Sequence, residues 1–207
     1  MTRALFITCF SAMFLMLSSA VANDQNQKAE VAKDKAEILE EKASSEGGKT
    51  PPSPTELITK PQIQAVDLTG DEPLDNAITC LARTIYWEAR SMSTTGMEAV
   101  ANVVMNRVGQ QGFPETVCGV VKQGQEQGTC QFSWWCDGRP DDAKEDESYA
   151  VAKDITRKAL NRQLKDRTNG ALYFHHREVA PSWSNEYVKT GEIEDFLFYK
   201  PAGEKSK

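Results

Sequence analysis

The 207 residues carry a formal charge of −6, from 24 Lys and Arg against 30 Asp and Glu. The charge is concentrated: residues 23–76 hold 12 acidic side chains and 6 lysines, whereas residues 77–207 hold 18 acidic and 17 basic ones. No basic stripe appears, which argues against nucleic acid as a partner, and the near-neutral later part points to a folded body behind an acidic segment.

Residues 1–22, MTRALFITCFSAMFLMLSSAVA, have the layout of a secretory signal peptide. Arg3 is followed by an apolar run and then by the small residues Ala20-Val21-Ala22, so cleavage is expected after Ala22. A retained membrane anchor is the competing reading, but the Ala-x-Ala site favours removal and no stable insertion afterwards. Export to the periplasm is expected, with full secretion as the alternative. Residues 23–73 are rich in Lys, Glu, Ala and Gln, then in Pro, with no aromatic residue. They read as a disordered linker, since such composition offers little apolar surface to bury. A partner-binding coiled coil over 28–42 would have barely two heptads.

All four tryptophans and all five tyrosines lie between Tyr86 and Tyr199. A single domain is therefore expected from residue 74 to the end, roughly 130 residues and long enough for its own core. Asp75 is placed to cap a helix in which Ile78, Leu81, Ala82, Ile85, Tyr86 and Ala89 recur at helical spacing. Glu88 falls on the margin of that apolar stripe, while Arg83 and Arg90 fall on the far side, toward solvent. TTGMEAVANVVMNRV forms a second helix, with Thr95 and Glu98 as a capping box and Met97, Val100, Ala101, Val104 and Val108 as the buried stripe. TVCGVVKQ reads as a short apolar turn or helix, and residues 124–142 as a long structured loop. A helix follows over 147–164, and GALYFHH and DFLFYK pair as strands. The fold class is α+β, mainly helical, with a small β-hairpin.

Without Cys9 in the leader, Cys80, Cys118, Cys130 and Cys136 form an even set, which in an exported chain reads as two disulfides. Three pairings are open, and Cys118–Cys130 with Cys80–Cys136 is favoured. A four-cysteine zinc site lacks its usual paired C-x2-C spacing.

Three places could carry chemistry. A carboxyl at the edge of an apolar face loses hydration, and its pKa rises toward that of a general acid working near neutral pH; this describes Glu88. The alternative is a surface ion pair with Arg90. The loop CQFSWWCDG sets aromatic rings beside Gln131 and Ser133, a composition suited to sugar faces and their polar substituents; Phe132, Trp134 and Trp135 could equally pack inward. In LYFHHREVAPSWS, His175 and His176 point to opposite strand faces and cannot ligate one metal together, whereas Tyr173 and His175 share a face. No metal or other cofactor is expected.

The motifs IYWEAR, GMEAVANVVMNRV, FPETVCGVV, CQFSWWCDG and GALYFHH...PSW together resemble the cell wall hydrolase family typified by the spore cortex-lytic enzyme SleB, in its Gram-negative, non-spore branch. The resemblance runs from about Cys80 to Tyr199. It implies a fold like that of lytic transglycosylases and goose-type lysozymes, and peptidoglycan glycan strands as the partner of a monomeric enzyme. It also implies Glu88 as the catalytic acid/base that cleaves the β-1,4 bond between N-acetylmuramic acid and N-acetylglucosamine. Gln131, Ser133, Trp134, Tyr173 and His175 are the expected cleft lining. The chain departs from the family at EIEDFLFY, where Asp195 stands about where a histidine is common. Asp195 and Glu178 are the candidates should a second carboxylate take part. An amidase acting on the stem peptide and a non-catalytic peptidoglycan-binding protein are the alternative readings.

Overall fold

The computed structural model describes residues 5–45, 50–144 and 147–203, with side chains from Val21 onward. Along these residues the elements run α1 (Leu5–Ser45), α2 (Lys60–Ala65), α3 (Ala77–Ala89), α4 (Thr94–Arg107), α5 (Val117–Lys122) and α6 (Glu147–Leu160), then β1 (Tyr173–His176), β2 (Val188–Ile193) and β3 (Phe196–Lys200). Short 3-10 turns at Gln125–Gln127 and Ser133–Trp135 punctuate the expected long loop. The charged start of the leader and its apolar side chains lie outside the described residues. No helix among the described residues is long and apolar enough to cross a membrane.

The core is built around α3, which buries Ile78, Cys80, Leu81, Ala82, Ile85 and Tyr86 and is covered on nearly every side. Such a helix belongs at the centre of a fold, not on its surface. Val100, Val103 and Val104 of α4 and Tyr149, Ala152 and Ile155 of α6 pack against it. The three strands form an antiparallel sheet in the order β1-β3-β2, with Tyr173 opposite Tyr199 and Phe174 opposite Phe198. The expected strand pair is thus present. The third strand, VKTGEI, was not anticipated because it is an exposed edge without apolar alternation. It joins β3 through a tight turn in which Glu194 adopts φ 51°.

Several expectations need correction. Residues 23–73 are not a solvated linker: Ala32, Ala36 and Leu39 of α1 are buried, as are Ile58, Ile63 and Val66 of the segment that follows. Alanines at this spacing contribute little apolar area each, but they let one helix approach another closely. Lys33 pairs with Glu72, and Lys42 with Glu56, across the same contact. The cap of α3 is Asn76, not Asp75; its side chain accepts the N–H groups of Ile78 and Thr79 at 3.1 and 3.0 Å. α4 is capped by Ser93, which frees Glu98 to receive Arg167 Nε at 2.6 Å. Arg83 does not face solvent. It is 2% exposed and holds the equally buried Asp67 through Nε at 3.0 Å and a terminal nitrogen at 2.8 Å. Its partner came from the segment read as linker, which is why a helical wheel of α3 alone misplaced it.

The disulfides are Cys80–Cys118 and Cys130–Cys136. Cys80 lies on the buried face of α3 against which α5 packs, so it meets Cys118 of α5 and is out of reach of the later loop. Cys130 and Cys136 flank the 3-10 turn Ser133–Trp135, which reverses the chain between them. The first bridge spans 38 residues, so a Cys80→Ala/Cys118→Ala variant should lose about 3–4 kcal/mol of stability. Urea titration under non-reducing conditions measures this loss.

Candidate active site

Glu88 stands on the last turn of α3, half-buried, two residues before the exposed C-cap Arg90. It opens into a cleft of about 310 Å³ that is also lined by Trp87, Arg90, Ser133, Trp134, Asp137, Arg139, Pro140 and Phe196. Among the described residues the Glu88 carboxyl has no hydrogen-bond or ion-pair partner. Burial pushes its pKa up to about 7, and the positive charge of Arg107 acts in the opposite direction. The group is therefore close to half protonated near neutral pH. That suits it to give a proton and later take one back.

Arg107, the last residue of α4, is 3% exposed. Its Nε donates to the Leu172 carbonyl at 2.7 Å, and its guanidinium lies 5.2, 5.3 and 5.5 Å from the rings of Phe113, Phe132 and Tyr173. One terminal nitrogen has no hydrogen-bond partner. Burial lowers its pKa to about 10, with Tyr173 and Glu88 opposing the shift. A cation in direct contact would drive Glu88 to full ionisation, and no cation at all would leave burial unopposed. Held apart from Glu88, Arg107 balances the two.

Ser133 and Trp134 of the aromatic loop border the Glu88 cleft, and Trp134 is 7% exposed. Phe132 turns fully inward. Gln131 is exposed and does not border that cleft; its backbone N–H bonds the Gln123 carbonyl instead. Tyr173 and His175 share the sheet face opposite Phe196 and join Trp183 and Tyr199 in a cluster of rings that Tyr187 extends. Contrary to expectation, neither Tyr173 nor His175 borders the Glu88 cleft: the Tyr173 ring lies 5.5 Å from the Arg107 guanidinium, and His175 packs against Trp183 and Tyr199. Glu178 projects into solvent beside His176, and Asp195 pairs with Arg177 at 3.3 Å. Neither lines the cleft. Among the described residues no group of three or more His, Cys, Asp or Glu is placed to hold a metal ion.

Three features went unseen in the sequence: Arg107, Asp137 and the pair Trp183 and Tyr187. Arg107 left a signal, since it lies three residues after Val104 and seven after Val100, on the buried stripe of its own helix. Asp137, in the cleft with Glu88, sits in an aperiodic loop that pattern cannot orient.

Residues 91–199, just over half of the chain, match the family described as Cell Wall Hydrolase. The chain belongs to the Cell Wall Hydrolase family. Glu88 lies just before the matched span. Similar Cell Wall Hydrolase relatives include a spore cortex-lytic enzyme of Halalkalibacterium halodurans, 30% identical over 120 residues, and one of Bacillus cereus, 29% identical over 119. These alignments cover 56% and 55% of this chain but only 32% and 41% of those proteins. The chain thus spans well under half the length of the relatives it matches. Among solved structures, the catalytic domain of Bacillus cereus SleB is 30% identical, with a TM-score of 0.50 over 60% of this chain and 89% of that one. The catalytic domain of the germination-specific lytic transglycosylase SleB from Bacillus anthracis, also 30% identical, gives 0.51 over 61% and 95%. The mainly helical fold with its small antiparallel sheet is therefore one that Cell Wall Hydrolase relatives share.

The raised pKa of Glu88 also has a thermodynamic sign. Its folded value of about 7 exceeds the ordinary 4.5, so the native state holds the extra proton between these values and stability falls as pH rises through that window. Above pH 7 the loss approaches about 3 kcal/mol. Glu88→Gln, which cannot ionise, should therefore be more stable than wild type at pH 8 by up to that amount, and show little difference at pH 4. Paired urea titrations at the two pH values check it.

Proposed function

We propose that this protein is an exported, periplasmic peptidoglycan-cleaving enzyme that cuts the β-1,4 bond between N-acetylmuramic acid and N-acetylglucosamine, with Glu88 as both acid and base. The observation that carries the reading is the half-buried carboxyl of Glu88, without a partner among the described residues and with a pKa of about 7, opening into a cleft walled by Trp87, Ser133 and Trp134. The protonated carboxyl gives its proton to the glycosidic oxygen as the bond breaks. The resulting carboxylate, stabilised by the field of Arg107, takes the proton of the muramyl 6-hydroxyl, whose oxygen closes on the anomeric carbon as a 1,6-anhydro ring. No water is consumed, and one carboxyl serves both steps. The relatives described as spore cortex-lytic enzymes, and the neighbour described as a lytic transglycosylase, support this class of activity.

Asp137 favours a second reading. It shares the cleft with Glu88, and a second carboxylate there could position water for hydrolysis in place of ring closure. Mass spectrometry of products from purified sacculi separates the routes: anhydro-muramyl ends are expected, reducing ends would establish hydrolysis, and free stem peptides would establish an amidase. Glu88→Gln should reduce muropeptide release by about a thousand-fold or more. Retention of most activity would remove Glu88 from the mechanism.

Because catalysis starts from protonated Glu88, the rate should decline as pH rises above about 7. A pH profile of initial rates on soluble glycan fragments measures the alkaline limb, and its midpoint should track the pKa of Glu88.

A further inference from the structure

The outer wall of the Glu88 cleft is a chain segment with few ties of its own. Asp137, Arg139 and Pro140 line the cleft and are exposed. Within this stretch the Asp137 carboxylate meets only the Arg139 backbone N–H at 2.9 Å and its guanidinium at 3.9 Å. Upstream the wall is fastened at Cys136 by the disulfide to Cys130. Downstream it is fastened at residues 141–143, and there the partners come from outside the span shared with the family, 91–199.

Three contacts make this second fastening. The Asp141 carbonyl accepts from a terminal nitrogen of Arg83 at 2.8 Å and from Trp87 Nε1 at 3.2 Å. The Ala143 N–H donates to the Gly70 carbonyl at 2.8 Å, and the Ala143 side chain is 1% exposed beneath that turn. Arg83 is in turn aimed by residues 67–72. Asp67 Oδ2 accepts from two of its nitrogens and from the Tyr149 hydroxyl, and the Glu72 carbonyl accepts from it at 3.1 Å. Asp67 Oδ1 closes the turn by accepting the Glu72 N–H at 3.0 Å. A core ion pair alone would need none of the bonds to Asp141 or Ala143. Gly70 has φ 78°, and a Cβ there would lie 1.5 Å from the Ala143 carbonyl oxygen. The turn is therefore shaped to the wall it touches. Asp67 itself holds φ 54°, a left-handed conformation that Asp adopts more readily than most residues and that turns the chain here.

We propose that residues 67–72 form a clasp that positions the cleft wall 137–143 for glycan binding, with Asp67, Gly70 and Arg83 as positioning residues. The inference rests on the glycan-cleaving reading of Glu88 for its substrate, but the clasp itself is testable without it. It assigns an active-site role to a segment whose composition reads as a linker.

The test uses the full chain with Gly70→Ala, which forces the turn and the wall apart, and Leu39→Ala, which removes core packing between α1 and the domain far from the wall. Hydrogen exchange of the peptide spanning 137–143 should rise at least about ten-fold in Gly70→Ala and stay at the wild-type rate in Leu39→Ala. On soluble glycan, Gly70→Ala should raise KM by about ten-fold with kcat within about two-fold, because the wall binds substrate and Glu88 is untouched. Leu39→Ala should lower Tm but keep the wild-type KM. Unchanged exchange in Gly70→Ala overturns the clasp whatever the substrate is. Raised exchange with unchanged KM overturns its positioning role, and so does an equal rise in KM for Leu39→Ala. Failure of the glycan reading would look different: wild type would release no muropeptides while the exchange result stood.

Discussion

Almost every side chain of α3 is denied water, and that constraint governs the rest of the molecule. A central helix can carry a polar group only where something else satisfies it or where a cleft opens. Thr84 bonds the Cys80 carbonyl one turn back, and Arg83 is met by Asp67, Asp141 and Glu72. Glu88 is the exception: among the described residues it has no partner, and the cleft opens beside it. The helix thus separates polar groups that hold the fold together from one whose carboxyl faces the cleft.

Two cations near that group are held by other partners. Arg107 is held by a backbone carbonyl and three aromatic rings, close enough to oppose the burial of Glu88 without pairing with it. The rings that surround Arg107 are weak acceptors compared with a carboxylate, so much of its field remains available. Arg90, two residues on and exposed, is occupied by the rings of Tyr86 and Trp87, at 5.2 and 4.6 Å. The nearest cation on the same helix is thereby engaged with ring faces.

Much of this was legible in the sequence. The periodicity of residues 78–89 placed the core helix and left Glu88 on its rim, and the alternation in LYFHH and DFLFY gave the two paired strands. What escaped depended on contacts distant in the chain. Arg83 looked like a surface residue because Asp67, its partner, sat in a stretch whose lysines and glutamates suggested solvation. Ala32 and Ala36 looked too small to matter, yet small residues are what allow a helix to lie close against another. The cysteines were correctly read as two bridges but wrongly paired, since spacing says nothing of which face of α3 carries Cys80. Glu98 and Thr95 fitted a capping pattern, but the helix starts two residues earlier and Ser93 is its cap.

The bridge between Cys80 and Cys118 gives the fold a dependence on its surroundings. It joins the buried face of the central helix to α5, and such a bond persists only where thiols are kept oxidised. A chain still in a reducing cytosol would have the same residues but a looser hold on the helix that carries Glu88. For the exported enzyme proposed above, maturation of the Glu88 cleft would thereby be coupled to arrival: the cell's own redox boundary would act as a timer, with full rigidity reached only outside the compartment where the chain is made.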